Sequence, residues 1–220
     1  MSKNERNGHR KPRAASKNIR IPELGYYFIF TDAEETEKNY LYGLRDSIPD
    51  NLRDKIVIKV NQAATIDLVD YCKEALSLEP QYRIPWIVLD RDQVKNFDNI
   101  IERAEREGIH VGWSNPCIEI WFHAHFGDMP TFTTSVKCCE QFGHAFEQRT
   151  NQKYIKSDTG IYPKLLKYGN EDLAITLAAR KRTEHQANGN VKPSSMCPAT
   201  TLFTLISEIK GKMQGGDKNE

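Results

Sequence analysis

The chain has 220 residues, of which 39% are hydrophobic and 28% charged, with a formal net charge of +1. That length and balance suit an ordinary folded protein with one sizeable core, and they exclude a fold that depends on disulfide staples. No apolar run approaches the ~18 residues of a membrane span and the N-terminus lacks the apolar core of a signal peptide, so the expectation is a cytoplasmic protein without membrane attachment.

Residues 1–21 read as a basic, disordered arm. Lys3, Arg6, Arg10, Lys11, Arg13, Lys17 and Arg20 face Glu5 alone across residues 1–20, so the rest of the chain is mildly acidic. Such an arm either touches nucleic acid or acts as a solubilising tail. The five cysteines are odd in number and form no CxxC, which points to reduced thiols. Cys138 and Cys139 are adjacent and project to different sides of a helix, which argues against a zinc site.

"GYYFIFT" (25–31) predicts a buried strand, and residues 34–47 a helix with Tyr40, Leu41 and Leu44 on one face. "KIVIKV" (55–60) is a second strand, "TIDLVDYCKEAL" (65–76) a helix beginning near Ala64 or Thr65, and "RIPWIVLD" (83–90) a third strand. "NFDNIIERAEREG" (96–108) is a helix stopped by Gly108, followed by the strand "IHVGWS" (109–114). This alternation predicts an α/β fold with a parallel four-stranded sheet flanked by helices. After Pro116 every periodic stretch reads as helical and no further strand is evident. The expected division is an α/β core over 22–126, a helical region over 127–212 and a flexible tail over 213–220.

Ligands bind beyond the carboxyl ends of parallel strands. Strand one ends at Thr31-Asp32, strand three at Asp90-Arg91-Asp92, and strand four just before the helix that carries Glu119. Glu34, Glu35 and Glu37 crowd behind Asp32. Like charges ~4 Å apart cost roughly 4 kcal/mol at an effective dielectric of ~20, so such acids protonate or bind a cation. Mg²⁺ suits oxygen ligands, and Mn²⁺ is an alternative. A simpler reading has Asp32 as a helix cap, with Glu34 and Glu35 favouring the positive helix end. Asp90-Arg91-Asp92 could equally be a loop closed by salt bridges. His123 and His125 follow Glu119 on one helix, where structural roles are commoner than ligation, and Trp121 and Phe122 read as core. Lys164 and the run Arg180-Lys181-Arg182 are candidate phosphate contacts or a solvated helix face. There is no Gly-rich phosphate loop to support a nucleotide-binding protein.

The stretches "TDAEETEKNYL", "IVLDRDQV", "SNPCIEIWFHAHF" and "MCPATTLFTLISEI" together resemble the RloB-like family of prokaryotic Toprim proteins. Asp32 stands at the family's first glutamate and Ala33 at its glycine. Thr36-Glu37 match its TE, and Asp90 and Asp92 its DxD. Asn115, Pro116, Glu119, Trp121 and His125 match the later motif, with Ile118 replacing an aromatic residue. The resemblance implies a Toprim-like core, a Mg²⁺ held by Asp32, Asp90 and Asp92, and catalysis served by Asp32, Glu37, Glu119 and His125. It further implies a nuclease effector of antiphage defence acting on DNA or on RNA such as transfer RNA. An ABC- or AAA-type ATPase would control it, and self-association is compatible with that picture. The Asp32 and Ala33 departures favour an alternative, a catalytically weakened Toprim module serving as sensor or binding subunit of an ATPase complex.

Overall fold

The structure, a computed structural model, describes residues 25–60, 67–78, 84–92 and 94–214. The basic arm, the expected start of the second helix at 64–65 and residues 215–220 of the tail lie outside the described residues.

The elements follow in the order β1 (Tyr27–Thr31), α1 (Thr36–Asp46), β2 (Ile56–Val60), α2 (Leu68–Leu78), β3 (Ile84–Asp90), α3 (Phe97–Arg106), β4 (His110–Asn115), α4 (Glu119–His125), α5 (Ser135–Thr150), α6 (Ile161–Tyr168), α7 (Glu171–Ala187), β5 (Ala199–Thr200) and α8 (Leu202–Gln214). Short 3₁₀ turns precede β2 and β5. The sheet order is β2-β1-β3-β4-β5. The first four strands are parallel, with Thr31 in register with Val60 on one side and Val88 on the other. β5 runs antiparallel to β4.

The sheet therefore has five strands, where the sequence predicts four. Ala199–Thr200 spans only two residues, too few to show a period of two. It pairs with Ser114 and Asn115 of β4 through the backbone, and threonine hydroxyls reinforce the pairing. Thr200 Oγ1 donates to the Trp113 carbonyl at 2.9 Å, Trp113 N–H donates to Thr201 Oγ1 at 2.9 Å, and Thr201 Oγ1 donates to the Val111 carbonyl at 3.0 Å.

β1 and β3 are buried on both faces, as central parallel strands require. Tyr27, Ile29, Trp86 and Val88 point to one face and pack with Tyr40, Leu41 and Leu44 of α1. The same cluster continues through Trp121, Phe122, Phe142, Leu165, Leu177 and Leu205, so it runs across the expected 126/127 boundary. Phe28, Phe30, Ile87 and Leu89 point to the opposite face and meet Leu68, Val69 and Cys72 of α2 and Phe97, Ile100 and Ile101 of α3. Trp121 and Phe122 lie in the core as their sequence context predicts. Trp121 Nε1 donates to the Tyr40 hydroxyl at 2.7 Å, tying α4 to α1. Among the described residues no helix is long and apolar enough to cross a membrane.

Candidate functional site

α1, which follows β1, packs on one face of the sheet, and α3, which follows β3, packs on the other. Adjacent parallel strands whose helices leave in opposite directions open a crevice at their carboxyl ends. The turns after β1 and β3 hold the acidic segments, so the topology delivers both to one place. A cleft of about 830 Å³ is found there, lined by Asp32, Thr36, Glu37, Asp90, Asp92, Lys95, Cys117, Glu119, Ser135, Cys139, Glu140 and Lys156 among others.

The cleft's most constrained feature is the pair Glu37–Asp90. Glu37 sits in the first turn of α1 and is buried, unlike Glu34 and Glu35, which face solvent. The N-cap position of α1 is Glu35, and its side chain makes no capping hydrogen bond. Asp90 ends β3, and its Oδ2 accepts the Ile118 N–H at 2.8 Å, just before α4. Its Oδ1 is buried and receives no donor. The Glu37 carboxyl lies within hydrogen-bonding reach of Asp90. Two carboxylates can only accept, so they bond through a shared proton or through a cation. Burial pushes Glu37 up to about 7, against the Asp90 hydrogen bond and with help from the charges of Glu119 and Asp32. Burial pushes Asp90 well above the carboxylate range too, and the charges of Glu37 and Glu119 add to it. Burial and their mutual repulsion thus favour a proton shared between the two carboxyls, or a cation in its place, over two free charges.

Glu119 opens α4 on the same cleft and is almost fully buried. Its Oε1 accepts from the Tyr154 hydroxyl at 3.0 Å and from the Cys139 thiol at 3.4 Å, and Lys156 Nζ stands 3.9 Å away. Asp92 is exposed on the lip, where its Oδ1 accepts from Ser135 Oγ at 2.5 Å. The Arg91 guanidinium donates to the carbonyls of Asp92 and Val94, so side-chain-to-carbonyl hydrogen bonds help close the Asp90-Arg91-Asp92 turn.

The structure thus brings Asp32, Glu37, Asp90, Asp92 and Glu119 together, and leaves the other candidates elsewhere. His125 is buried edge-on against Trp121, outside the cleft lining. Burial pushes it down to about 3, with Lys210 adding, so it is neutral. His123 lines a separate cavity with Phe132 and His144. Lys164 pairs with Asp158 at 2.8 Å, and Arg180 and Lys181 pair with Glu184 at 3.4 and 3.2 Å. Arg182 lines a cavity with Trp86 and His110, toward the amino ends of β3 and β4. None of these four basic residues lines the acidic cleft.

Sequence reasoning missed Cys139, Tyr154 and Lys156. They lie 20 to 37 positions beyond Glu119, on α5 and the loop after it, and no motif spacing marks them. The five cysteines are free; Cys138 is buried, whereas its neighbour Cys139 reaches the cleft.

Among the described residues no group of three or more His, Cys, Asp and Glu side chains is arranged to hold a metal ion. A Mg²⁺ site asks for less, since that ion binds through one or two carboxylates and keeps several waters. The Glu37–Asp90 pair meets that demand: hard oxygen donors, one buried oxygen with no donor, and two acids whose repulsion a cation would relieve.

No curated protein and no solved structure gives a significant match to the chain. The family model described as RloB-like protein matches residues 27–209. That span runs from β1 into α8 and includes every side chain of the acidic cleft named above, and on it the chain belongs to the RloB-like family.

Proposed function

We propose that the chain is a Mg²⁺-dependent nuclease with a Toprim-like core, acting on the phosphodiester bonds of DNA or RNA. The observation that carries this reading is the buried Glu37–Asp90 pair at the crevice between β1 and β3, where two carboxyls share a space fit for a proton or a divalent ion. A divalent ion bound there would supply electrophilic stabilisation of phosphoryl oxygens and a more acidic water. Glu37 and Asp90 would be its protein ligands, and Asp92 and Asp32 line the same cleft. Asp90 is oriented by the Ile118 N–H, and Glu119 by the Tyr154 hydroxyl. Burial raises Glu37 to about 7 in the empty site, so ion binding there would displace a proton from the pair and strengthen as pH rises. Family resemblance supports the wider setting, antiphage defence under the control of an ABC- or AAA-type ATPase.

A second reading, a weakened Toprim module that binds but does not cut, is favoured by the family's motif: Asp32 stands in place of its glutamate and Ala33 in place of its glycine. Incubation of the purified protein with plasmid DNA and with total RNA, in Mg²⁺, Mn²⁺ or chelator, with and without a neighbouring ATPase, separates the readings. The nuclease reading expects ion-dependent cleavage that Asp90→Asn abolishes. Ion binding without cleavage of any substrate would select the weakened module.

A further inference from the structure

Lys156 occupies a place that packing alone does not explain. Its side chain is 57% exposed, yet its ammonium stands 3.9 Å from an almost fully buried carboxylate, Glu119. The reason is the residue two positions earlier. The Tyr154 ring is held edge-on by Phe142, with centroids 4.8 Å apart, and also contacts Phe146. Its hydroxyl is fastened to Glu119. Tyr154 therefore pins the loop between α5 and α6 against the cleft, and Lys156 is delivered to the cleft wall.

The distances say what the ammonium is free to do. At 3.9 Å the contact with Glu119 is an ion pair and too long for a hydrogen bond. Glu119 Oε1 already accepts from Tyr154 and Cys139, so the three N–H donors of Lys156 are not spent on it. The cleft lining holds six carboxylates, Asp32, Glu37, Asp90, Asp92, Glu119 and Glu140, against two lysines, Lys95 and Lys156. An anionic group entering such a cleft meets repulsion everywhere except at a bound cation and at those lysines. Both lysines are exposed; Lys95 sits on the turn before α3, whereas Lys156 stands beside the buried Glu119 and next to the Tyr154 anchor.

We propose that Lys156 binds a phosphate group of the substrate and is thereby a substrate-positioning residue of this cleft. The inference rests on the nuclease reading for its choice of substrate, but not for its geometry. An ammonium is a compact point charge with rotatable donors, suited to a phosphate whose orientation is fixed elsewhere. The phosphate can belong to a nucleic-acid backbone or to a free nucleotide, and the chemistry at Lys156 is the same.

The test compares the parent with Lys156→Gln and with Lys153→Gln, a control that removes an exposed lysine of the same loop outside the cleft lining. Binding of a fluorescent single-stranded oligonucleotide, a duplex and a nucleoside triphosphate is measured over a KCl series in Ca²⁺, alongside cleavage in Mg²⁺. Lys156→Gln is expected to weaken binding about tenfold, the size of one lost charged hydrogen bond, and to lower the nucleic-acid salt slope by about one, while Lys153→Gln does not. In cleavage the loss should fall on KM more than on kcat, and Lys156→Arg should restore part of the binding. If the oligonucleotides bind in this way, the backbone is the phosphate source; if only the triphosphate does, the source is a free nucleotide, and the site stands. Lys156-dependent binding without cleavage, whether or not the neighbouring ATPase is present, would sink the nuclease reading and leave the phosphate site intact. Ion-dependent cleavage and binding that are the same in the parent and Lys156→Gln would overturn the phosphate site and leave the nuclease reading intact.

Discussion

Glu37 and Asp90 give the residue scale its clearest consequence. Both carboxyls titrate higher in the folded chain than in the unfolded one. The folded state then holds more protons than the unfolded state, so stability is full below the ordinary carboxylate range and is lost as pH rises through the folded values, past about 7 for Glu37. In metal-free buffer the parent should therefore unfold at lower urea at pH 8 than at pH 5.5, and part of that pH dependence should vanish in Glu37→Gln or Asp90→Asn. A parent whose urea midpoint is flat over this range would mean that the two carboxyls do not share a buried site. Glu119 offers a second check. Tyr154→Phe keeps the ring packed against Phe142 and removes one charged hydrogen bond, with an expected cost of about 1.5–3 kcal/mol by chemical denaturation. Glu37 was legible because it completes a recognisable motif; Tyr154 was not, because nothing in a lone tyrosine 35 residues away tells which carboxylate it will meet.

At the scale of elements, α1 and the β5 segment show two different limits of a sequence. The spacing of Tyr40, Leu41 and Leu44 predicts which face of α1 is buried, and that face is the one packed on the sheet. The same turn of helix aims Glu37 into the cleft, so one amphipathic pattern fixes both core and site. β5 has no such pattern. Its two residues, Ala199 and Thr200, pair with β4, and the hydroxyls of Thr200 and of Thr201 just after it satisfy backbone groups of β4. Thr201→Val preserves shape but leaves the buried Trp113 N–H and Val111 carbonyl short of a partner. It should cost about 1–3 kcal/mol. Thermal unfolding of the variant checks it, and an unchanged melting temperature would show that β5 is not held by these bonds. For Arg180 and Lys181 the helical spacing to Glu184, at i+4 and i+3, already offers an acidic partner, whereas Lys164 meets Asp158 only once the turn before α6 is folded.

Over the whole molecule, the order of strands and helices along the chain was readable, and with it the parallel α/β class. The lateral order β2-β1-β3-β4-β5 was not, because periodicity says that a segment is a strand and nothing about its neighbour. That order is what makes the site: β1 and β3 lie side by side with their helices on opposite faces, and the acids after both strands line one cleft. Six carboxylates against two lysines leave the cleft unfit for a polyanion until a cation enters. Divalent ions should consequently raise affinity for nucleic acid in the parent and far less in Asp90→Asn. The most direct test is calorimetric titration of Mg²⁺ and Mn²⁺ into the metal-free protein at pH 8, for the parent, Glu37→Gln and Asp90→Asn. The account predicts saturable binding by the parent, and binding at least ~10-fold weaker in either variant with the fold retained, since each loses a charged ligand. No saturable binding to the parent, or equal binding in all three proteins, would contradict it.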